Sequence, residues 1–400
     1  MYYNKYVSVY HHSLFFIQYI FFKIIGLSPW TISDFEIYKK NRKVNNDQNN
    51  VCKFSYFGTF YNVLLIIVMI LITLYSSYYE RLAVNRIDSL LSKRTISSIE
   101  TVAVLVALVY LSVYIFRQKL MIGVFNRLKI VDSKLQKCAI YSSENDISLH
   151  IIFILNLLLC SSLMVYCAQR LSLLDIIIKC TPTVISTWLI IQYTMLLNMI
   201  NKRFKSINYT IGKIIEVYKT ENRPETVCIS RTTLFRGSLI HDINNVKYAY
   251  IKLCESCEAL GDFFGFSVLT VLIFVGAGSV FVAYFGMLPY FEKKNPGLGI
   301  IESIPMLWMN FSIFMLTTYV NKIIKQSNET PTIINLLMDR GTIDRKVEKE
   351  LVKFVRDLSY LKVEFTAFDI VSLDRTLMGT IVGTVATYVI ILIQFRPSAA

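Results

Sequence analysis

Residues Val371–Phe395 read VSLDRTLMGTIVGTVATYVIILIQF. The twenty residues after Arg375 carry no charge, and about 20 apolar residues is what one helix needs to cross a hydrocarbon layer about 30 Å thick. Working back from the C-terminus, six more stretches have the same character: Ile304–Ile324, Gly261–Phe285, Asp175–Met199, Ser148–Ala168, Ser97–Phe116 and Phe57–Tyr79. The composition agrees, with 54% apolar and 18% charged residues and a mean hydropathy of +0.48. A soluble globule of 400 residues needs more polar surface than that. The chain reads as all-α and polytopic, with seven transmembrane helices.

Basic residues orient the spans. Seven precede the first span, six lie between the second and third, and ten lie in each of the two long connections after spans four and six. That is 33 of the 42 Lys and Arg on one side, and cytoplasmic loops are the side that accumulates them. The N-terminus is therefore expected inside and the C-terminus outside. Receptors that couple to G proteins have the opposite orientation, and their inner Asp-Arg-Tyr and last-span Asn-Pro-x-x-Tyr are both absent. The expected organisation is a cytoplasmic segment 1–56, spans one to four over 57–200 and a cytoplasmic connection 201–260. Spans five and six over 261–324, a second connection 325–370, the last span 371–395 and an external tail 396–400 follow.

Three polar-flanked segments outside the spans carry helical patterns. Leu14–Ile25 is apolar but too short to cross, and Gly26 and Pro29 stop it, so it reads as an interfacial amphipathic helix. Ile211, Ile214, Ile215 and Tyr218 continue span four as an amphipathic helix. Val347, Leu351, Phe354, Leu358 and Leu361 form the apolar face of another. Such faces need burial, so spans four to seven are expected to extend into a packed cytoplasmic layer that anchors the molecule.

Enzyme chemistry has little to work with. His11, His12, His150 and His241 lack the i, i+3 or i, i+4 spacing of a metal-binding helix. No Gly-x-Ser-x-Gly or phosphate-binding loop is present. No cofactor or metal is implied. The net charge of +14 follows from loop Lys and Arg and does not indicate nucleic acid. Cys254 and Cys257 have redox-motif spacing but fall on one helix and read as a buried pair. Cys167 and Cys180 lie near the outer ends of spans three and four, which leaves an external disulfide open. The sequons at Asn208, Asn310 and Asn328 fall in cytoplasmic or membrane segments and are expected to carry no glycan.

Polar residues within spans are costly and therefore informative. Toward the outer halves these are Glu100, Ser161, Tyr166, Thr187, Trp188, Tyr284, Trp308 and Asn310. Singly, each suits an interfacial anchor or a helix–helix hydrogen bond. Together they are candidates to line an outward-facing cavity for a small organic ligand. The last span differs, because Gly379, Thr380, Gly383, Thr384 and Thr387 give it a small, hydroxylated side. If copies surround an axis, Gln394 and Phe395 ring its outer mouth, with Ile391 one turn below.

The last span also carries a resemblance. Thr387-Tyr388, five aliphatic residues and Gln394-Phe395 match the terminal signature of insect gustatory receptors. Phe365-Thr366-Ala367 through Leu373-Asp374 and Leu377 is similar to that family's approach to its last helix, and Gly26-Leu27-Ser28-Pro29-Trp30 to its N-terminal motif. The resemblance spans nearly the whole chain and is strongest over residues 328–395. It implies a ligand-gated, non-selective cation channel in the plasma membrane of sensory neurons. Four subunits, as a homotetramer or a heterotetramer with related receptors, would surround a pore lined by the seventh helices. The partners implied are a small-molecule tastant, membrane lipid and the conducted cations. Gln394 and Phe395 take the gate positions, and Thr387 and Tyr388 position the helix. Val389 stands where the main sweet-sugar clade has an acidic residue, which leaves the bitter-type or fructose-like branches. Two rivals stay open: a subunit working only as a heteromer or in internal nutrient sensing, and a non-conducting seven-span receptor.

Overall fold

The computed structural model describes residues 16–32, 52–83, 90–138, 147–169, 173–221, 229–292, 297–339 and 345–395. Among them helices dominate. A short helix α1 covers 16–24. It is followed by α2 (Tyr56–Ala83), α3 (Leu90–Phe116), α4 (Gln118–Leu135) and α5 (Ile147–Ala168). The long helices α6 (Leu173–Glu221), α7 (Ile229–Glu292) and α8 (Gly297–Asp339) come next, then α9 (Arg345–Tyr360) and α10 (Thr376–Gln394). Two minimal antiparallel pairs complete the set: β1 (Thr31–Ile32) with β2 (Cys52–Lys53), and β3 (Thr366–Ala367) with β4 (Val371–Ser372).

At 1.5 Å per residue, α6, α7 and α8 are roughly 74, 96 and 65 Å long, from their 49, 64 and 43 residues. Each is at least twice the thickness of a hydrocarbon layer, so long stretches of all three lie beyond it. Among the described residues five helices are individually long and apolar enough to cross, and α3 passes as a sixth when counted together with the bend into α4. Helix α8, whose middle carries Asn310, Thr317, Thr318 and Asn321, is not among them.

Helix α6 is the axis of the bundle. An 18-residue window within its stretch Cys180–Lys213 is 83% buried, with α2, α3, α4, α5, α7 and α8 all packed on the helix. By contrast, α2 and α5 turn long apolar faces outward, through Phe60, Leu64, Leu71 and Leu74 on one and Ile151, Leu155, Leu158 and Val165 on the other. Those are lipid-facing surfaces by composition.

The chain between α3 and α5, expected as a polar connection, is a helix. At Arg117 the chain bends by 61° into α4, which buries Gln118, Met121, Val124, Leu128, Val131 and Leu135 along α7. Its steps of three and four residues were legible behind the basic residues. Arg203 on α6 closes this layer with a bidentate pair to Asp132 at 2.8 and 2.6 Å.

Pro331 lies inside α8 and removes the hydrogen bond to the carbonyl four residues back. That carbonyl belongs to Ser327, and the Tyr250 hydroxyl of α7 approaches it at 3.4 Å and the Ser327 Oγ at 2.7 Å. Beside it, Asn208 of α6 donates to the Gln326 carbonyl at 2.8 Å and accepts from Thr330 at 2.6 Å. The proline is thus tied to both neighbouring helices, and Asn208, one of the three sequon residues, is buried. Helix α6 runs on to Glu221 as the periodicity suggests, although the side chains of Ile214, Ile215 and Tyr218 lie outside the described residues. Helix α9 buries Val347, Leu351, Phe354 and Leu358 against α7 and α8, and Asp357 pairs with Lys247 of α7 at 2.5 Å. That lysine holds the Asp357 carboxyl below the usual carboxylate range. No disulfide joins Cys167 to Cys180.

The N-terminal segment is wedged into the bundle. Helix α1 ends in a Schellman turn, with Leu27 N–H on the Phe22 carbonyl at 2.8 Å, Gly26 N–H on Lys23 at 3.2 Å and Gly26 at φ 83°. The following carbonyls leave helical geometry and are met by side chains. Asn62 donates to Gly26 at 2.8 Å, Gln192 to Leu27 at 3.0 Å and Tyr19 to Trp30 at 2.8 Å. Trp30 is buried against Tyr114 and Phe125. Behind it, Tyr114 meets Phe263, and Phe264 stacks on Tyr193 at 4.4 Å. Gly58 on α2 admits this turn, since a Cβ there would lie 1.8 Å from the Pro29 carbonyl oxygen. We expect Gly58→Ala to destabilise the fold by on the order of 2 kcal/mol or more. Thermal unfolding followed by size-exclusion chromatography checks this, and a melting temperature equal to wild type would refute the wedge.

Candidate functional site

Two regions hold the residues singled out above. The first lies where α5, α6 and α8 meet. Asn156 on α5 donates to the Ile152 carbonyl at 2.8 Å and accepts the Trp308 indole N–H from α8 at 2.9 Å. Both side chains are buried. Next to them is a cavity of about 10 Å³ lined by Ile152, Asn156, Ile191, Thr194, Phe311 and Ser312, enough for one water molecule. Thr194 and Ser312 return their hydroxyl hydrogens to Ile190 and Trp308 of their own helices. One turn along α5, Phe153 packs against Trp188 at 5.3 Å, and Phe21 of α1 covers the same indole at 4.4 Å.

The eight sequence candidates do not share one cavity. Trp308 lies at the Asn156 contact and Trp188 sits inside the aromatic cluster under α1. Thr187 and Ser161 bond back to the carbonyls of Thr183 and Leu158. Asn310 joins α8 to α7 through the Ser279 hydroxyl at 2.9 Å. Tyr166 and Tyr284 are half-buried near the ends of α5 and α7. The side chain of Glu100 lies outside the described residues. Asn156 was missed; a single amide in the middle of an otherwise apolar span is the signal that marks it.

The second region is α10. It packs mainly on α7, and only Leu377 and Val389 are buried along its length. Its base is firmly held. Asp374 accepts from the Thr376 backbone N–H at 2.8 Å and from its hydroxyl at 2.5 Å, which keeps the Asp374 carboxyl below the usual carboxylate range. The preceding hairpin turns through Phe368 and Asp369, both in the left-handed region at φ 54° and 56°, and Ile370 N–H closes the turn on Ala367. Its tip rests on α7 at Gly265, where a Cβ would come within 3.0 Å of the Phe368 nitrogen.

At 100° per residue, Thr376, Thr380, Gly383, Thr387 and Gln394 fall on one side of α10. Met378, Ile381 and Val389, which pack inward, fall on the other. Thr380 and Thr387 donate to the Thr376 and Gly383 carbonyls at 3.1 and 2.9 Å. Tyr388, Ile391, Gln394 and Phe395 are exposed, Phe395 at 83%.

This arrangement of long helices, wedge and exposed last helix accompanies a whole-chain family match. A model described as 7tm chemosensory receptor matches residues 15–398. The chain belongs to that family. The chemosensory receptor therefore has seven spans, α8 included despite its polar middle, and its family is one of receptors and not of enzymes. The resemblance to insect gustatory receptors holds. The chain is 29% identical to putative gustatory receptor 28b of Drosophila melanogaster over 154 residues, 37% of this chain and 33% of that protein. It is 28% identical to the gustatory receptor for sugar taste 43a of the same insect over 157 residues, 36% of this chain and 35% of that one. The matched part of the chain thus spans about a third of the length of these relatives. Among solved structures, the insect olfactory receptor OR5 from Machilis hrabei superposes with a TM-score of 0.62 at 13% identity, covering 96% of this chain and 99% of that one. The same receptor in complex with eugenol gives 0.59, covering 98% and 99%.

The Asn156–Trp308 bond yields a stability test. Asn156→Leu strands a buried indole N–H and is expected to cost about 1–3 kcal/mol. Adding Trp308→Phe removes the orphaned donor, so the double variant should be less destabilised than the two single changes summed. Strict additivity of the melting shifts would show that the bond carries no energy.

Proposed function

We propose that this receptor is a tastant-gated, non-selective cation channel, assembled as a tetramer of itself or with related receptors in the plasma membrane of sensory neurons. The observation that carries the reading is α10. An apolar helix that packs mainly on one neighbour, with a hydroxyl and amide stripe turned away from it, suits a position around a shared axis. Thr380 and Thr387 give their hydrogens to the helix, so their oxygen lone pairs remain for a passing cation. Gln394 and Phe395 then stand at the mouth as an amide ring and an apolar constriction, with Ile391 below and Thr387 and Tyr388 setting the helix.

The excess of Lys and Arg in alternate connections supports a cytoplasmic N-terminus and an external C-terminus. On that orientation the lower parts of α6, α7 and α8, with α4 and α9, form the cytoplasmic anchor. The region around Asn156 and Trp308 is the proposed tastant pocket, and its single-water cavity requires the helices to part when a ligand enters. That OR5 has been solved with eugenol supports a small organic ligand. Val389 after Thr387-Tyr388 supports the bitter-type or fructose-like branch.

Whole-cell recording from cells expressing this chain alone, with a panel of sugars and bitter alkaloids, tests the proposal. A ligand-evoked cation current is expected, with Phe395→Ala and Gln394→Ala leaky or altered in gating. Surface-expressed protein that stays silent in all three forms would overturn the homomeric channel.

A further inference from the structure

The surface of α3 holds a groove that the channel reading does not use. It encloses about 440 Å³ between α3 and α7 and is lined by Leu105, Leu108, Val109, Ser112, Phe116 and Phe266. Ser112 bonds back to the Leu108 carbonyl at 2.8 Å, so the walls offer no free hydroxyl hydrogen. Arg117 closes one end. It stands where α3 breaks by 61° into α4, a helix with Lys119, Arg127, Lys129 and Lys134 that is too charged to continue through hydrocarbon. The bend therefore marks the edge of the bilayer, with the apolar groove on the hydrocarbon side and Arg117 at headgroup level. One guanidinium N–H of Arg117 is fixed on the Asp262 carbonyl. The side chain is exposed, and no carboxylate among the described residues pairs with it. Lys119, two residues on, is also exposed. A guanidinium has five donors, so several remain for an acceptor outside the chain.

We propose that this groove is a binding site for one phospholipid, with an acyl chain along α3 and the phosphate on Arg117. The chemistry selects this occupant. A largely apolar wall whose one hydroxyl is tied to its own helix takes hydrocarbon, an arginine fork takes a phosphate, and an amphiphile at the bilayer edge presents both. The neighbouring hairpin makes the site consequential. Phe266 of the groove packs on Phe368 at 5.7 Å, and Phe368 belongs to the turn that sets the base of α10. A lipid seated here touches the support of the last helix.

The test uses the full-length purified protein in mild detergent with palmitoyl-oleoyl phosphatidylglycerol added, and native mass spectrometry to count lipid retained per chain. One tightly held lipid per chain is expected in the wild type. Arg117→Gln should weaken retention by about tenfold, and Arg117→Lys should keep most of it. Ser112→Phe, which fills the groove, should abolish it. Leu105→Trp serves the same purpose at a position already 56% exposed if the first variant folds poorly. Absence of retained lipid in the wild type would overturn the proposal. So would wild-type retention in both a groove-filling variant and Arg117→Gln.

Discussion

Backbone that leaves helical geometry inside a membrane bundle must find other hydrogen-bond partners, and the turn Gly26–Trp30 is where this protein meets that demand. Its carbonyls are taken by Asn62 of α2, Gln192 of α6 and Tyr19 of α1. The same Gln192 also receives the Tyr114 hydroxyl of α3. Four elements are thereby joined through polar contacts that have no solvent to compete with them. The aromatic residues around Trp30 add α4 and α7 to the set. A glycine in the turn and another facing it supply the room. The wedge also explains why α1, amphipathic and too short to cross, packs one face beside Phe153 and Trp188 while Ile17, Ile20 and Ile24 face outward.

Burial is distributed very unevenly around that knot. The membrane stretch of α6 is almost wholly enclosed, while that of α10 is 11% buried. Lipid alone can cover α2 and α5, whose outward faces are aliphatic and aromatic. It covers the end of α10 at Gln394 poorly, because an amide in hydrocarbon needs a partner, whereas Thr380 and Thr387 bond back to their own helix.

Much of this was legible because the signals are coarse and physical. Charge-free runs of about 20 residues announce spans, and the α9 stripe from Val347 to Leu358 announces a buried face before any neighbour is known. Other features depend on contacts between distant residues. The α4 steps of three and four residues are present in the sequence, but the basic residues among them make the segment read as a connection. Trp188 reads as a cavity wall from its place in a span, but what it meets is Phe21, 167 residues away in sequence. Nor does the sequence announce that Asn156 faces Trp308, since an isolated amide points to a partner without naming it. Spacing along one helix is local information, whereas the packing of α5 against α8 is not.

The hairpin before α10 has a mechanical meaning. Its two left-handed residues are strained by on the order of 1 kcal/mol each, and they are held in place by α7 at Gly265 and by the Thr366–Asp369 hydrogen bond at 2.9 Å. Held at this foot and lightly supported above it, α10 is a rod roughly 28 Å long. A tilt of about 5° at that foot would carry the far tip of a helix this long about 2 Å sideways. Small adjustments among tightly packed helices at one end can therefore become large displacements at the other, with no part of the chain needing to unfold.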